Sequence, residues 1–158
     1  GFADAFVDDL ERRSAGDAAP AILVTAVETS GSGMAARLAA AGCAYTLYTR
    51  GLNGGVVVDE RRVIRVIDRA LDSSHDRSVL TTAALDPTIR MVVSNVTEVG
   101  YGPGGLPARL AEALSARARA GMTGVAVAPC ELIERNGLDS GDTSRHGVTD
   151  MMAASAPR

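Results

Sequence analysis

The chain has 158 residues, of which 46% are hydrophobic and 22% charged, with a formal net charge of −3. This composition is typical of one soluble globular domain and excludes a disordered chain, and no basic patch indicates a nucleic-acid partner. No apolar run reaches the roughly 18 residues of a membrane span, so we expect no membrane partner and, by default, a cytoplasmic location. All sixteen basic residues are arginine, which excludes lysine chemistry within this chain.

The cysteines and histidines are few and widely spaced. Cys43 and Cys130 are too isolated for a disulfide framework, and neither His75 nor His146 has further ligands at metal spacing. We therefore predict that both cysteines are reduced thiols in the core. No metal site is expected.

The first half of the chain alternates helical and extended patterns. Residues 2–13 predict an amphipathic helix with its apolar side chains on one face: Phe2, Phe6, Val7 and Leu10. Residues 21–27 predict a strand buried on both faces, and residues 34–42 predict a short helix that Gly42 ends through a left-handed cap. β-Branched and aromatic residues around the LNGG turn predict a β-hairpin over residues 44–70.

The second half repeats the alternation. Residues 76–85 predict a helix that stops before Pro87, and TIRMVVSN predicts a strand. Residues 106–121 predict a helix that ends at Gly121 and has one apolar face, formed by Leu106, Leu110, Ala113 and Leu114. TGVAVAP predicts a further strand, whereas residues 138–158 lack periodicity and predict an irregular tail.

Strands that alternate with helices predict an α/β fold of the Rossmann type: a mostly parallel sheet with helices on both faces and a β-hairpin insertion. Ligands bind outside the carboxyl ends of the strands in such a sheet. Four polar residues, Ser94, Asn95, Thr97 and Glu98, follow the strand TIRMVV directly. They are predicted either to line this crevice or to cap the next turn, as Ser, Asn and Thr often do.

Two placements of a dinucleotide site compete. GSGMAA, residues 31–36, matches a dinucleotide fingerprint, but no acidic residue stands about 20 positions on, since none occurs between Glu28 and Asp59. YGPGG lacks the Lys and Ser/Thr of a P-loop. In the placement that fits better, the helix at 2–13 is the first Rossmann helix, the first strand lies upstream of Gly1, and Glu28 ends the second strand.

Glu28 then lies where a carboxylate accepts hydrogen bonds from the adenosine ribose. A negative charge at this point favours NAD over NADP, because it repels a 2′-phosphate. The alternative for Glu28 is a solvated loop carboxylate.

Four ordered segments resemble the mannitol dehydrogenase family of polyol-specific long-chain dehydrogenases, in its N-terminal domain. They are AFVDDL, YTLYTRGLNGG, DPTIRMVVSNVTEVGY and PCELIERNG. SN-x-TE together with PCELI-x-x-NG is most similar to the tagaturonate (altronate) reductase branch. The resemblance covers about residues 1–137 and implies an NAD-binding Rossmann-like domain over that range.

The resemblance also implies individual site residues. Gly1 and Phe2 match the end of the family's glycine turn, although Asp4 stands where the family commonly has arginine. Glu28 matches the ribose-binding acid, and Asn136 matches an asparagine that polarises the substrate oxygen. The segment beneath the nicotinamide ribose is matched by Ser94, Asn95, Thr97 and Glu98.

The family's lysine acid/base belongs to a C-terminal catalytic domain, which we expect to be absent from this chain because the chain has no lysine. The main hypothesis is therefore the cofactor-binding part of an NAD-dependent oxidoreductase. Its substrate would be a sugar acid or polyol, of tagaturonate/altronate type first and mannitol or fructuronate type next. The alternative is a non-catalytic nucleotide-binding or structural remnant, and a methyltransferase on a similar sheet is a third possibility. Tyr45 and Tyr48 are predicted to be strand core residues rather than catalytic phenols.

Overall fold

The computed structural model describes residues 2–15 and 22–131. The chain divides between His75 and Asp76 into two compact units. The first unit contains the elements α1 (Phe2–Ala15), β1 (Val24–Glu28), α2 (Met34–Ala40), β2 (Tyr45–Asn53), β3 (Val56–Ile64) and β4 (Ile67–Asp72). The second contains α3 (Ser78–Ala84), β5 (Met91–Ser94), a 3₁₀ turn (Glu98–Tyr101), α4 (Leu106–Arg119) and β6 (Ala126–Pro129).

The described strands form three pairs. β1 and β4 are parallel, β5 and β6 are parallel, and β2 and β3 are antiparallel. In the Rossmann strand order 3-2-1-4-5-6, strands 2 and 3 are parallel neighbours, and so are strands 4 and 5. Assigning β1 and β4 to strands 2 and 3, and β5 and β6 to strands 4 and 5, reproduces both parallel pairs. The predicted α/β class is confirmed, and β2–β3 is the predicted insertion.

The hairpin is shorter than the sequence predicted. β2 and β3 pair from Tyr45↔Ile64 to Asn53↔Val56, and the turn places Gly54 and Gly55 at φ 57° and 83°, which only glycine adopts readily. The predicted span 44–70 is wrong at its far end. After Ile64 the chain changes partners, and β4 pairs with β1 instead. The extended pattern of VVVDERRVIRVIDRAL continues across this change, so the sequence carries no local sign of it.

Both predicted glycine caps are present. Gly42 ends α2 with φ 66° and Gly121 ends α4 with φ 67°. The next residue after Gly42, Cys43, is also left-handed at φ 56°, and its amide donates to the carbonyl of Leu38 at 2.9 Å. Left-handed residues at these positions satisfy helix carbonyls that would otherwise lack donors.

The buried face of α1 is acidic, which contradicts the prediction of an apolar face. Phe6 and Leu10 are 62% and 42% exposed, whereas Asp4, Asp8 and Glu11 are buried. The hairpin and Ile22, two residues before β1, supply the partners that make this arrangement possible. Arg62 Nε lies 3.5 Å from Asp8, Tyr45 hydrogen-bonds to Asp4, and the amide of Ile22 donates to Glu11 at 3.0 Å.

Other predicted core positions are mixed in outcome. Tyr45 is half-buried, and burial followed by its hydrogen bond to Asp4 raises the pKa of its phenol, so this side chain is committed to structure. Tyr48 is 55% exposed, so its prediction as a core residue is wrong. Both cysteines are free thiols, but Cys130 is exposed and Cys43 only half-buried, because each lies just beyond the end of an element.

The second unit packs α3 against α4. Leu110 and Ala113 of α4 are buried together with Ala84 of α3, as the apolar face predicted for residues 106–121 requires. The predicted tail 138–158 lies outside the described residues. No helix in the described ranges is long and apolar enough to cross a membrane.

Candidate functional site

Glu28 is the last residue of β1, and its carboxylate collects donors from the turn that follows. Oε1 accepts the hydroxyls of Ser32 at 2.6 Å and Ser30 at 3.3 Å, and Oε2 accepts the amide of Ala35 at 2.7 Å. Both serines are exposed. The carboxylate is therefore held in one orientation at the carboxyl end of the strand.

Glu28 also stabilises the start of α2. The helix begins at Met34 after Gly33, which has no side chain for capping, and Ala35 is its second residue. A carboxylate at this point satisfies a free helix amide and interacts favourably with the helix dipole. The amide of Ala35 and then the hydroxyl of Ser32 lower the pKa of Glu28 to about 2, despite an opposing effect of burial. Glu28 is thus anionic at any neutral pH.

This geometry disfavours the glycine fingerprint at residues 31–36. A dinucleotide fingerprint binds its pyrophosphate at the N-terminus of the following helix. Here the N-terminus of α2 is already occupied by the protein's own carboxylate, since Glu28 bonds the Ala35 amide. A phosphate at this point would find the Ala35 amide already hydrogen-bonded and would be repelled by the negative charge of Glu28.

The end of β4 lies beside the end of β1, and sequence reasoning missed it. Asp72 is the register partner of Glu28, and the amide and hydroxyl of Ser73 both donate to the Glu28 carbonyl, at 2.8 and 2.9 Å. The Asp72 carboxylate accepts the hydroxyl and then the amide of Ser74, and these bonds lower its pKa. Gly31, at φ 68°, approaches Ser74 closely enough that an added Cβ would lie 3.1 Å from its hydroxyl.

The signal for this second carboxylate was present in the sequence but incomplete. DSSH follows an extended run, as a ligand-lining segment does. Because that run was interpreted as the second strand of the hairpin, its end was not expected at a parallel edge beside Glu28.

In the second unit, the polar segment after β5 separates into inward and outward side chains. Ser94 is 8% exposed and hydrogen-bonds to Glu131, whereas Asn95 and Thr97 are exposed. Thr97 precedes the 3₁₀ turn but makes no side-chain capping bond to it. Within the described ranges, neither Asn95 nor Thr97 makes a side-chain hydrogen bond. The capping alternative therefore fails for Thr97, and two polar side chains remain available to a ligand.

Glu131 organises this segment and was not predicted as a site residue. It follows β6, is 6% exposed, and accepts the amide of Val96 at 3.3 Å and the hydroxyl of Tyr101 at 2.9 Å. Burial raises the pKa of Glu131, but the hydrogen bonds from Ser94, its own amide, Tyr101 and Val96 outweigh burial and leave it below the ordinary value. In the sequence, the one indication of a role for Glu131 is its place in the segment PCELIERNG.

The remaining predicted site residues lie at or beyond the limits of the described ranges. Gly1 and Asn136 are outside them. Phe2 is the first residue of α1, and Glu98 begins the 3₁₀ turn, but only their backbones are described. Among the described residues, no group of three or more His, Cys, Asp or Glu side chains is arranged to hold a metal ion.

The chain was compared with protein-family models, curated proteins and solved structures. No protein-family model matches the chain. It is 29% identical to the altronate oxidoreductase of Bacillus subtilis over 92% of this chain and 33% of the relative. It is 32% identical to that of Phocaeicola vulgatus over 72% of this chain and 27% of the relative.

Two solved structures share the fold at 22% sequence identity. A D-sorbitol dehydrogenase in substrate-free form matches 90% of this chain and 33% of its own, with a TM-score of 0.67. A Pseudomonas fluorescens mannitol 2-dehydrogenase, in a ternary complex with NAD and D-mannitol, matches 96% of this chain and 36% of its own, with a TM-score of 0.72. The resemblance to the mannitol dehydrogenase family is confirmed. The chain spans about a third of the length of these relatives.

Proposed function

We propose that this chain is the cofactor-binding part of an NAD-dependent oxidoreductase that interconverts a sugar acid or polyol and its keto form. The curated relatives are named for altronate, and the solved structures for sorbitol and mannitol. We therefore place a sugar acid of the altronate/tagaturonate type first among substrates, and a polyol or fructuronate second.

The observation that carries the proposal is the Glu28 carboxylate. It ends the strand that fits the second position of the Rossmann order, where an acid holds the adenosine ribose. Its charge is secured by a pKa of about 2. A ribose hydroxyl would replace the hydroxyl of Ser30, whose 3.3 Å bond is the longest and whose side chain is exposed.

The negative charge of Glu28 also favours NAD over NADP as the cofactor. A 2′-phosphate in place of the ribose hydroxyl would meet an anion that cannot become protonated near neutral pH, so NADP is disfavoured. Asp72, in register with Glu28 on β4 and also held ionised by its hydrogen bonds with Ser74, adds a second negative charge at the same strand ends. Two carboxylates there favour a neutral diol over a phosphate.

In the second unit, we assign Asn95 and Thr97 to the ribose next to the nicotinamide. Both are exposed at the carboxyl end of β5, and their polar groups make no internal bonds within the described ranges. Ser94 lies in the same predicted segment but is turned toward Glu131, so it supports the site from within. Glu98, Gly1, Phe2 and Asn136 keep the roles that the family resemblance implies.

Bound NAD would accept or return the hydride, while a base takes the proton from the hydroxyl on the same carbon. This chain contains no lysine. We therefore expect the proton transfer to belong to a C-terminal catalytic domain of the full-length enzyme. The isolated chain should show no turnover of tagaturonate, fructuronate or fructose with NADH.

One feature favours the alternative, a nucleotide-binding or structural remnant. Glu28 already has a structural task in capping α2, and a structural carboxylate needs no ligand. The two accounts differ in what the charge does. A cap requires an acceptor, whereas cofactor discrimination requires a negative charge.

The test is calorimetric titration of the chain with NAD and NADP, with Glu28→Gln, Glu28→Ala and, as a control, the exposed hairpin variant Glu60→Gln. We expect Glu28→Ala to weaken NAD binding about tenfold or more, which corresponds to the loss of one charge-assisted hydrogen bond. Glu28→Gln should keep much of the capping interaction with α2, because glutamine still offers an acceptor, but should lower the ratio of NAD affinity to NADP affinity. If both Glu28 variants lower thermal stability but have the same ratio of NAD to NADP affinity as Glu60→Gln, the carboxylate is only a helix cap.

A further inference from the structure

The segment Ser94–Tyr101 is tied to one buried carboxylate at three points. Glu131 accepts the Ser94 hydroxyl at the end of β5, the Val96 amide two residues later, and the Tyr101 hydroxyl at the end of the 3₁₀ turn. These three donors cover the whole segment. A backbone bond from the Cys130 amide to the Ser94 carbonyl, 2.9 Å, adds a fourth tie beside them.

A carboxylate suits this task better than any other side chain. It is an acceptor at both oxygens and can take several donors at once, whereas an amide must place two donors among groups that are themselves donors. Burial of a charge is costly unless such bonds compensate for it, and Glu131 is 6% exposed with its donors in place. The charge and the shape of the segment therefore depend on each other.

The ties decide which side chains face outward. Ser94 bonds Glu131 through its hydroxyl and is buried, Val96 bonds it through its backbone amide and is half-buried, and the residues that alternate with them, Asn95 and Thr97, are exposed. In extended backbone, successive side chains point to opposite sides, and Thr97 is extended at ψ 163°. A segment free to twist would lose this alternation.

We infer that Glu131 is a positioning residue for the nicotinamide half of the cofactor site: it acts through the Ser94–Tyr101 segment to hold Asn95 and Thr97 toward the ligand. The inference rests on the proposed function. Glu131 itself, being buried, does not touch the cofactor. Its effect should appear in binding of the nicotinamide ribose and not in binding of the adenosine ribose.

The experiment compares wild type, Glu131→Gln and Tyr101→Phe, with Glu112→Gln as a control for an exposed carboxylate on α4. Each chain is titrated with NAD and with ADP, which lacks both the nicotinamide and the ribose attached to it. Hydrogen exchange of the Val96 amide is measured in parallel, because it reports the tie directly and needs no ligand. Circular dichroism checks that each variant is folded.

We expect Glu131→Gln to weaken NAD binding about tenfold, to leave the ADP affinity within about twofold, and to speed exchange of the Val96 amide. Tyr101→Phe removes one tie, keeps the carboxylate, and should show a smaller change in the same direction. It also carries the test should Glu131→Gln fail to fold.

Several results would overturn the inference. Unchanged NAD binding with faster Val96 exchange would show that the hydrogen bond to Glu131 is structural only, and an equal loss of ADP binding would show a general effect on the fold. Failure of the proposed function has a different signature: wild type itself would bind neither NAD nor ADP, and the inference would fall with it.

Discussion

Arg117 on α4 is a buried cation, and replacing it by methionine tests how the second unit is held together. The side chain is 4% exposed. Its guanidinium donates to four backbone carbonyls: Thr123 at 2.6 Å, Ala84 at 2.6 Å, Asp86 at 2.9 Å and Ile89 at 3.3 Å. Ala84 is the last residue of α3, Thr123 follows α4, and Asp86 and Ile89 lie between α3 and β5, so one side chain joins the ends of both helices to the segment before β5.

The magnitude follows from those four bonds. A hydrogen bond to a charged group contributes about 1.5–3 kcal/mol, so simple addition over four bonds would exceed 6 kcal/mol. Removing the buried charge also removes its desolvation cost, which offsets part of the loss. Methionine fills much of the volume but leaves the carbonyls without donors. We therefore expect Arg117→Met to lower the free energy of unfolding by about 3–5 kcal/mol, a large fraction of the stability of a small domain.

The assay is urea unfolding followed by far-UV circular dichroism, with native-state hydrogen exchange of α4 amides to report the second unit separately. At a denaturant slope of about 2 kcal/mol per molar, the midpoint for that unit should fall by about 1.5–2.5 M. The control is Arg119→Met, two residues along the same helix, where the side chain is exposed. If the two variants shift the midpoint equally, the buried guanidinium does not carry the stability assigned to it.

Two further predictions concern Glu28 and a close backbone approach. The folded pKa of Glu28, about 2, lies below its ordinary 4.5, so its stabilisation is present above pH 4.5 and is lost as the pH falls toward 2. The free energy of unfolding should therefore fall less steeply with pH between 4.5 and 2 in Glu28→Gln than in the wild type. Equal slopes for the two proteins would contradict the capping role. Gly105→Ala should lower the melting temperature, because a Cβ at this position would collide with the carbonyl of Gly100. The control is Gly124→Ala, where an added Cβ meets open space and the melting temperature should not change. Similar melting temperatures for the two variants would refute the packing of this turn.

Much of the local structure was predictable, because its causes lie within a few residues. Gly42 and Gly121 end their helices where the apolar period stops, and the LNGG turn joins two β-branched runs. Glu28 could be placed at the end of a strand by the run before it. The donors that hold its charge, however, come from Ser32 and Ala35 on the following turn, and no residue pattern indicates that they turn back.

What required the tertiary structure is which surface each element meets. The apolar pattern of α1 predicts that Phe6 faces inward, yet its acidic face is buried because Arg62 and Tyr45, more than 30 residues away in the chain, supply its partners. The same cause separates Ser94, which faces inward, from its neighbour Asn95, since Glu131 lies beyond β6. The sequence by itself determined most of the elements, the glycines that end α2 and α4, and the positions of Glu28 and Ser94 at the ends of their strands, because these depend on local periodicity and backbone sterics. Only the fold decided which strand β4 joins, which carboxylates are buried and which polar side chains remain open to a ligand, because those outcomes depend on contacts between distant parts of the chain.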